Sequence, residues 1–74
     1  MDVFTKIAQA IAQRRGSDAS QITPETRFDE LQLDSLDVAE LIMELEDEFS
    51  ITIDMAQLGA TVGDLVNLVN EARK

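Results

Sequence analysis

Ser35 sits between carboxylates in the run Asp34-Ser35-Leu36-Asp37, an oxygen nucleophile at a point where a helix is ready to begin. A serine near a helix start most often caps the helix or fills its first turn. Here Asp34 is itself a good cap, and Asp37 lies three residues on, where its carboxylate can meet an unpaired backbone N–H. The Ser35 hydroxyl is then left over at an exposed helix N-terminus. Unpaired N–H groups and the helix dipole favour an added phosphate there, while the charges of Asp34 and Asp37 oppose one. Two acids beside a free hydroxyl make poor walls for a phosphate pocket. They make good handles for a basic enzyme that installs or reads a group on Ser35.

Little other chemistry is available. The 74 residues include no Cys, His, Trp or Tyr, which excludes disulfides, thiolate catalysis, a Ser-His pair and the usual zinc and copper sites. An enzyme would need a general base, and no pattern in the sequence sequesters a carboxylate for that task. The acids also lack the alternating oxygen-ligand loop, ending in a distant Glu, of a calcium-binding EF-hand. The chain is therefore expected to be no enzyme, and to bind no metal.

Charge narrows the partners. The net charge is −9, and the six bases are Lys6, Arg14, Arg15, Arg27, Arg73 and Lys74. Between Phe28 and Ala72 there is no base, yet that span holds twelve of the fifteen acids. Such a surface repels nucleic-acid phosphate and attracts a basic protein face, and with no base within it the span is expected to repel itself. The plainer reading is a solvated acidic face that keeps a small protein soluble. The N-terminus shows neither a basic segment with a continuous apolar run nor a membrane-spanning length, so no membrane insertion is expected and the expected location is the cytoplasm, or an organelle if a transit peptide was removed.

The elements that must position Ser35 follow from periodicity. Asp2 caps a helix carrying Val3, Phe4, Ile7, Ala10 and Ile11 on one face, with Arg14 and Arg15 in its last turn and Gly16 beyond. Residues 17 to 33 have no sustained period and contain the only proline, Pro24, which predicts a long loop pinned by Ile22, Phe28 and Leu31. A second helix runs from Asp34 or Ser35 to about Phe49 or Ser50. An extended Ile51-Thr52-Ile53 follows, then a brief helical turn from Met55 to Leu58 capped by Asp54. Thr61 and Asp64 form a cap pair for a final helix over 62–72. The expected fold is all-α: one domain over 1–74, a small four-helix bundle of three main helices and one short helix. Aromatics are only 4% of the chain, so the core is expected to be aliphatic.

The second helix has two apolar faces. At about 100° per residue, Val38, Leu41, Ile42, Leu45 and Phe49 share one narrow sector and form the core stripe. Leu36 and Met43 fall nearly opposite, with Glu40 and Asp47 beside them and Asp37, Glu44 and Glu48 along the flank. Singly exposed apolar residues are common. Two at helical spacing inside an acidic field read as a docking surface, where charge steers the encounter and apolar anchors hold it.

These residues carry a family resemblance. The run Phe28-Asp29-Glu30-Leu31-Gln32-Leu33-Asp34-Ser35-Leu36-Asp37, then Glu40-Leu41 and Met43-Glu44-Leu45-Glu46-Asp47-Glu48-Phe49, resembles the phosphopantetheine-attachment segment and second helix of acyl carrier proteins. Thr61-Val62-Gly63-Asp64-Leu65 is similar to the start of that family's last helix, and the order of elements matches along the whole chain.

The resemblance implies that Ser35 carries, through a phosphodiester, a 4′-phosphopantetheine donated by coenzyme A, and that this arm brings the thiol the chain lacks. It implies that Asp34, Leu36, Asp37, Glu40, Met43, Glu46, Asp47 and Glu48 meet basic patches on a phosphopantetheinyl transferase and on the enzymes that process acyl groups. It also implies an acyl pocket between the second and third helices near Leu45, Ile53, Leu58 and Val62, in a monomeric carrier. The family usually has Gly where this chain has Gln32, which bears on the backbone at the loop's end. The dense acidic helix favours a fatty-acid carrier. The alternatives are a specialised carrier of polyketide, aminoacyl or D-alanyl groups and, from a different class, a small acidic interaction module with no prosthetic group.

Overall fold

The computed structural model describes residues 2–16 and 18–73; Ser17, the expected first residue of the long loop, lies outside them. Three α-helices carry the fold: α1 (Val3–Arg15), α2 (Ser35–Phe49) and α3 (Val62–Ala72). Their ends follow the chemistry of their caps. Asp2 accepts from the Thr5 N–H at 2.7 Å to start α1, and hydrogen bonding to Thr5 holds the Asp2 carboxyl below the ordinary aspartate range. Gly16 ends α1 in the left-handed region at φ 69°, where glycine pays no side-chain penalty. The short fourth element is a three-residue 3₁₀ helix, Met55–Gln57, capped by Asp54 as expected. A second 3₁₀ helix, Ala19–Gln21, breaks the long loop. The sequence reading did not anticipate it, because three residues are too few to establish a period.

The core is aliphatic. Ile7 and Ile11 of α1, Leu41 and Leu45 of α2, and Val62, Leu65 and Val69 of α3 are fully buried. Helix α1 packs most closely on α3 and also meets α2. Ile22 and Phe28 bury their side chains in the same core and Leu31 packs half-buried against it, as expected of the loop. No polar or charged side chain is buried among the described residues, so no carboxylate has to be held charged in a dry interior.

The loop is anchored by backbone as well as by side chains. The Phe28 N–H donates to the Ala60 carbonyl at 3.0 Å and the Val62 N–H to the Thr26 carbonyl at 2.9 Å, forming a single antiparallel bridge between Arg27 and Thr61. One residue further, the Gly63 N–H donates to the Pro24 carbonyl at 2.8 Å. A Cβ on Gly63 would lie 2.9 Å from that oxygen, so only glycine permits the loop to approach the first turn of α3 this closely.

The last turn of the loop ends like a helix. Leu33 N–H donates to Phe28 carbonyl at 3.2 Å and Gln32 N–H to Asp29 carbonyl at 3.0 Å, the paired bonds of a Schellman motif, with Gln32 in the left-handed region at φ 58°. The Arg15 guanidinium, at the end of α1, donates to the Leu31 carbonyl and fastens this turn to the helix behind it. The motif that glycine would serve is thus kept here by glutamine, at a steric cost. Replacing Gln32 with Gly is expected to stabilise the protein by about 0.5–1 kcal/mol, after allowing for the greater freedom of glycine in the unfolded chain. That corresponds to a rise of roughly 2–8 °C in Tm by calorimetry, and an unchanged or lower Tm would show that Gln32 pays no conformational penalty.

Candidate functional site

Asp34 caps α2: its Oδ1 accepts from the Asp37 N–H at 2.8 Å, while Asp37 Oδ2 accepts from the Asp34 N–H at 3.4 Å. This reciprocal box needs nothing from Ser35, the first residue of the helix. Ser35 is exposed, and its hydroxyl takes no partner among the described residues. The arrangement presents a nucleophilic oxygen to solvent at a helix end, and the two neighbouring carboxylates are engaged with backbone N–H groups and not with it. Any reaction there must be driven by a group brought from outside the chain.

An apolar cleft of about 340 Å³ opens beside Ser35. Phe28, Leu33, Val38, Met55, Leu58 and Ala60 line it, and Arg27, Asp29, Asp34 and Ser35 supply its polar lining. The volume lies toward the small end of the roughly 300–1,000 Å³ usual for ligand pockets. It lies between the second helix and the short third one, as expected, with Val38 on one side and Met55 and Leu58 on the other, but most of its lining differs from the expected set. Of Leu45, Ile53, Leu58 and Val62, only Leu58 borders this cleft. Leu45 and Val62 are wholly enclosed in the core and leave no open space beside them. Ile53 borders a second, more polar depression with Thr52, Asp54, Gln57 and Leu68. Arg27 and Leu33 were not anticipated as lining residues, since both lie in a loop without periodicity. Hydrogen bonding to Arg27 holds the Asp29 carboxyl below its ordinary range, and the two side chains pair at 3.1 Å.

The outward face of α2 is laid out as its spacing suggests. Leu36 is 66% and Met43 65% exposed, and Met55, 44% exposed, adds an apolar group from the neighbouring 3₁₀ helix. Asp34, Glu40, Asp47 and Glu48 are exposed and Asp37 is half-buried. The expectation that this acidic span lacks nearby bases is overturned by packing, because α1 supplies them. Lys6 Nζ lies 3.0 Å from Glu48, and Arg14 reaches Glu40 at 3.1 Å and Glu44 at 3.2 Å. At the far end of α2, where acids oppose the helix dipole, the Arg73 guanidinium sits 5.1 Å from the Phe49 ring centroid.

Glu46 departs from the outward role expected of it. It is half-buried, and its Oε2 accepts from the Ile53 N–H at 2.7 Å. Its backbone carbonyl also accepts from Ser50 and Ile51, so one residue ties down the whole exit from α2, including Ser50 in the left-handed region at φ 55°. No sequence period signals this role, since it depends on the chain turning back on itself after Ser50.

A helical bundle that leaves one uncapped serine at the head of an acidic helix, beside an apolar cleft, has the construction of a carrier domain. The comparisons agree. Residues 5–69 match the family described as the phosphopantetheine attachment site. An acyl carrier protein of Streptococcus thermophilus (strain CNRZ 1066) is 49% identical, and one of Streptococcus pneumoniae serotype 4 is 46% identical, each over 74 residues that cover both chains fully. The crystal structure of an acyl carrier protein from Thermotoga maritima superposes with a TM-score of 0.81 at 30% identity, covering 95% of this chain and 85% of that one. The chain belongs to the acyl carrier protein family. It is a carrier and not an enzyme, and its prosthetic group is a covalently attached 4′-phosphopantetheine. The residues fit such a group, with an exposed, unengaged hydroxyl for attachment and an apolar recess next to it.

Replacing Glu46 with Ala strands the Ile53 N–H, which is expected to lower stability by about 1–2 kcal/mol and to speed amide exchange at Ile53 by about an order of magnitude. Glu46→Gln keeps an acceptor oxygen and should retain most of the protection. NMR-detected exchange checks both, and equal protection in all three proteins would mean that this bond holds nothing.

Proposed function

We propose that Ser35 is the attachment residue and that the protein is the acyl carrier of fatty acid synthesis. The observation that carries this reading is the exposed Ser35 hydroxyl, relieved of capping by Asp34 and Asp37. When bound, 4′-phosphopantetheine supplies the thiol that a chain without cysteine cannot, and with it the thioester link to an acyl group. The protein's own part is mechanical and electrostatic. Helix α2 holds the Ser35 oxygen at a fixed exposed point. The cleft walls, Phe28, Leu33, Val38, Met55 and Leu58, offer apolar surface next to it where the start of an acyl chain can leave water.

The carrier's partners are acyl-processing enzymes and a phosphopantetheinyl transferase. We infer that they dock through basic patches on the face bearing Asp34, Leu36, Asp37, Glu40, Met43, Asp47 and Glu48. Leu36 and Met43 serve as apolar anchors there, and the carboxylates steer. Glu46 belongs to the same helix but contributes by holding the turn behind this face. The same reading takes residues 1–74 as one domain, acting as a monomer in the cytoplasm. Among the described residues no helix is long and apolar enough to cross a membrane. Full-length relatives that are acyl carrier proteins support this reading over a polyketide, aminoacyl or D-alanyl carrier.

Incubation with coenzyme A and a phosphopantetheinyl transferase should add the mass of one phosphopantetheine to the intact protein and none to Ser35→Ala. Modification that persists in Ser35→Ala would move the attachment point elsewhere. Charge reversal by Glu40→Lys or Asp47→Lys should weaken binding to the transferase roughly tenfold at low salt, with a smaller effect at high salt and no change in fold by circular dichroism. Affinity that survives both reversals would reduce the acidic face to a solvated one.

A further inference from the structure

The α1 cations occupy a regular ridge of α2. Glu40, Glu44 and Glu48 recur every fourth residue, so they line up along one side of the helix, and each is paired to α1. Arg14 is the best held of these bases. Its guanidinium forks between two carboxylates, with Nη1 3.1 Å from Glu40 and Nη2 3.2 Å from Glu44, and its side chain is only 26% exposed. A rigid fork suits this double role, which a single ammonium could not fill with the same geometry. Glu40 and Glu48 thus have internal partners, while Asp47 has no basic partner among the described residues.

Building on the basic-partner reading above, we propose that Arg14 is an intramolecular competitor for the docking face. It holds Glu40 and Glu44 as a partner's Lys or Arg would hold them. Docking of a protein with a basic patch then has to exchange Arg14 for the incoming cation at Glu40, whereas Asp47 is engaged at no such cost. Arg14 in this way weakens docking through Glu40 and shifts discrimination among partners toward those whose cations reach Asp47. An exposed ion pair shifts an equilibrium by roughly one and a half to fivefold, and the competition should be of that size.

The test is titration calorimetry of the unmodified carrier against a phosphopantetheinyl transferase without coenzyme A, at low and high salt. Arg14→Ala should tighten Kd about threefold at low salt and by less at high salt. Arg14→Gln keeps the packed stem of the side chain and should give the same result if the alanine protein proves too unstable. Arg73→Ala removes the same unit of charge away from the ridge and should leave Kd nearly unchanged. In a Glu40→Gln, Glu44→Gln background, removing Arg14 should bring no gain. Equal tightening in the Arg14 and Arg73 variants would assign the effect to net charge and overturn the proposal. So would an unchanged or weaker Kd in both Arg14 variants while Glu40→Lys and Asp47→Lys still weaken binding. If those reversals also leave Kd unchanged, the basic-partner reading itself has failed, and Arg14 has nothing to compete with.

Discussion

Everything at the head of α2 depends on two carboxylates satisfying each other's backbone. A helix N-terminus must find acceptors for its first N–H groups, and serine is among the residues most often recruited for that duty. Here Asp34 and Asp37 take it over reciprocally. The Ser35 oxygen is then released from structural work while its residue stays in the first turn of the helix. The same pair places negative charge at the positive end of the helix dipole, where it stabilises the helix.

The loop before α2 decides where that helix end points. Its backbone is bonded to the segment that starts α3 through residues 24–28, and its final turn is closed by Gln32 and held by Arg15. The loop that leads into Ser35 is therefore fastened both to the end of α1 and to the start of α3. The cleft exists because this loop and the 3₁₀ helix at Met55–Gln57 stand on either side of the first turn of α2 without filling the space between them. A recess at the seam between elements can change its volume by moving those segments, while the fully buried Ile7, Ile11, Leu41, Leu45 and Leu65 remain packed.

The acidic face is less simple than its charge. Helix α1 neutralises one ridge of α2 and leaves the other to solvent, so a surface that is uniformly acidic in sequence is divided in space. This tempers the self-repulsion of a chain with net charge −9 and also sorts its carboxylates. Glu40, Glu44 and Glu48 are shared with the fold, Glu46 is engaged by a backbone amide, and Asp47 is exposed one turn beyond the exposed Met43.

Local rules made much of this legible in the residues alone. The three helices, their caps at Asp2, Asp34 and Thr61, the aliphatic core stripe and the exposed Leu36 and Met43 all follow from periodicity and from side chains acting within four residues of themselves. The prominence of Ser35 was legible for the same reason, since the competition for its capping role is settled between positions 34 and 37. What required the folded chain are the contacts between residues far apart in sequence: Arg14 with Glu40 and Glu44, Arg15 with the Leu31 carbonyl, the bridge between Arg27 and Thr61, and a cleft beside Ser35 rather than around Leu45 and Val62. Periodicity states which face of a helix is apolar, but not which neighbour covers it. That choice belongs to the tertiary packing, which encloses Leu45 and Val62 in the core and leaves a cleft beside Ser35 where the loop and the short 3₁₀ helix fail to meet.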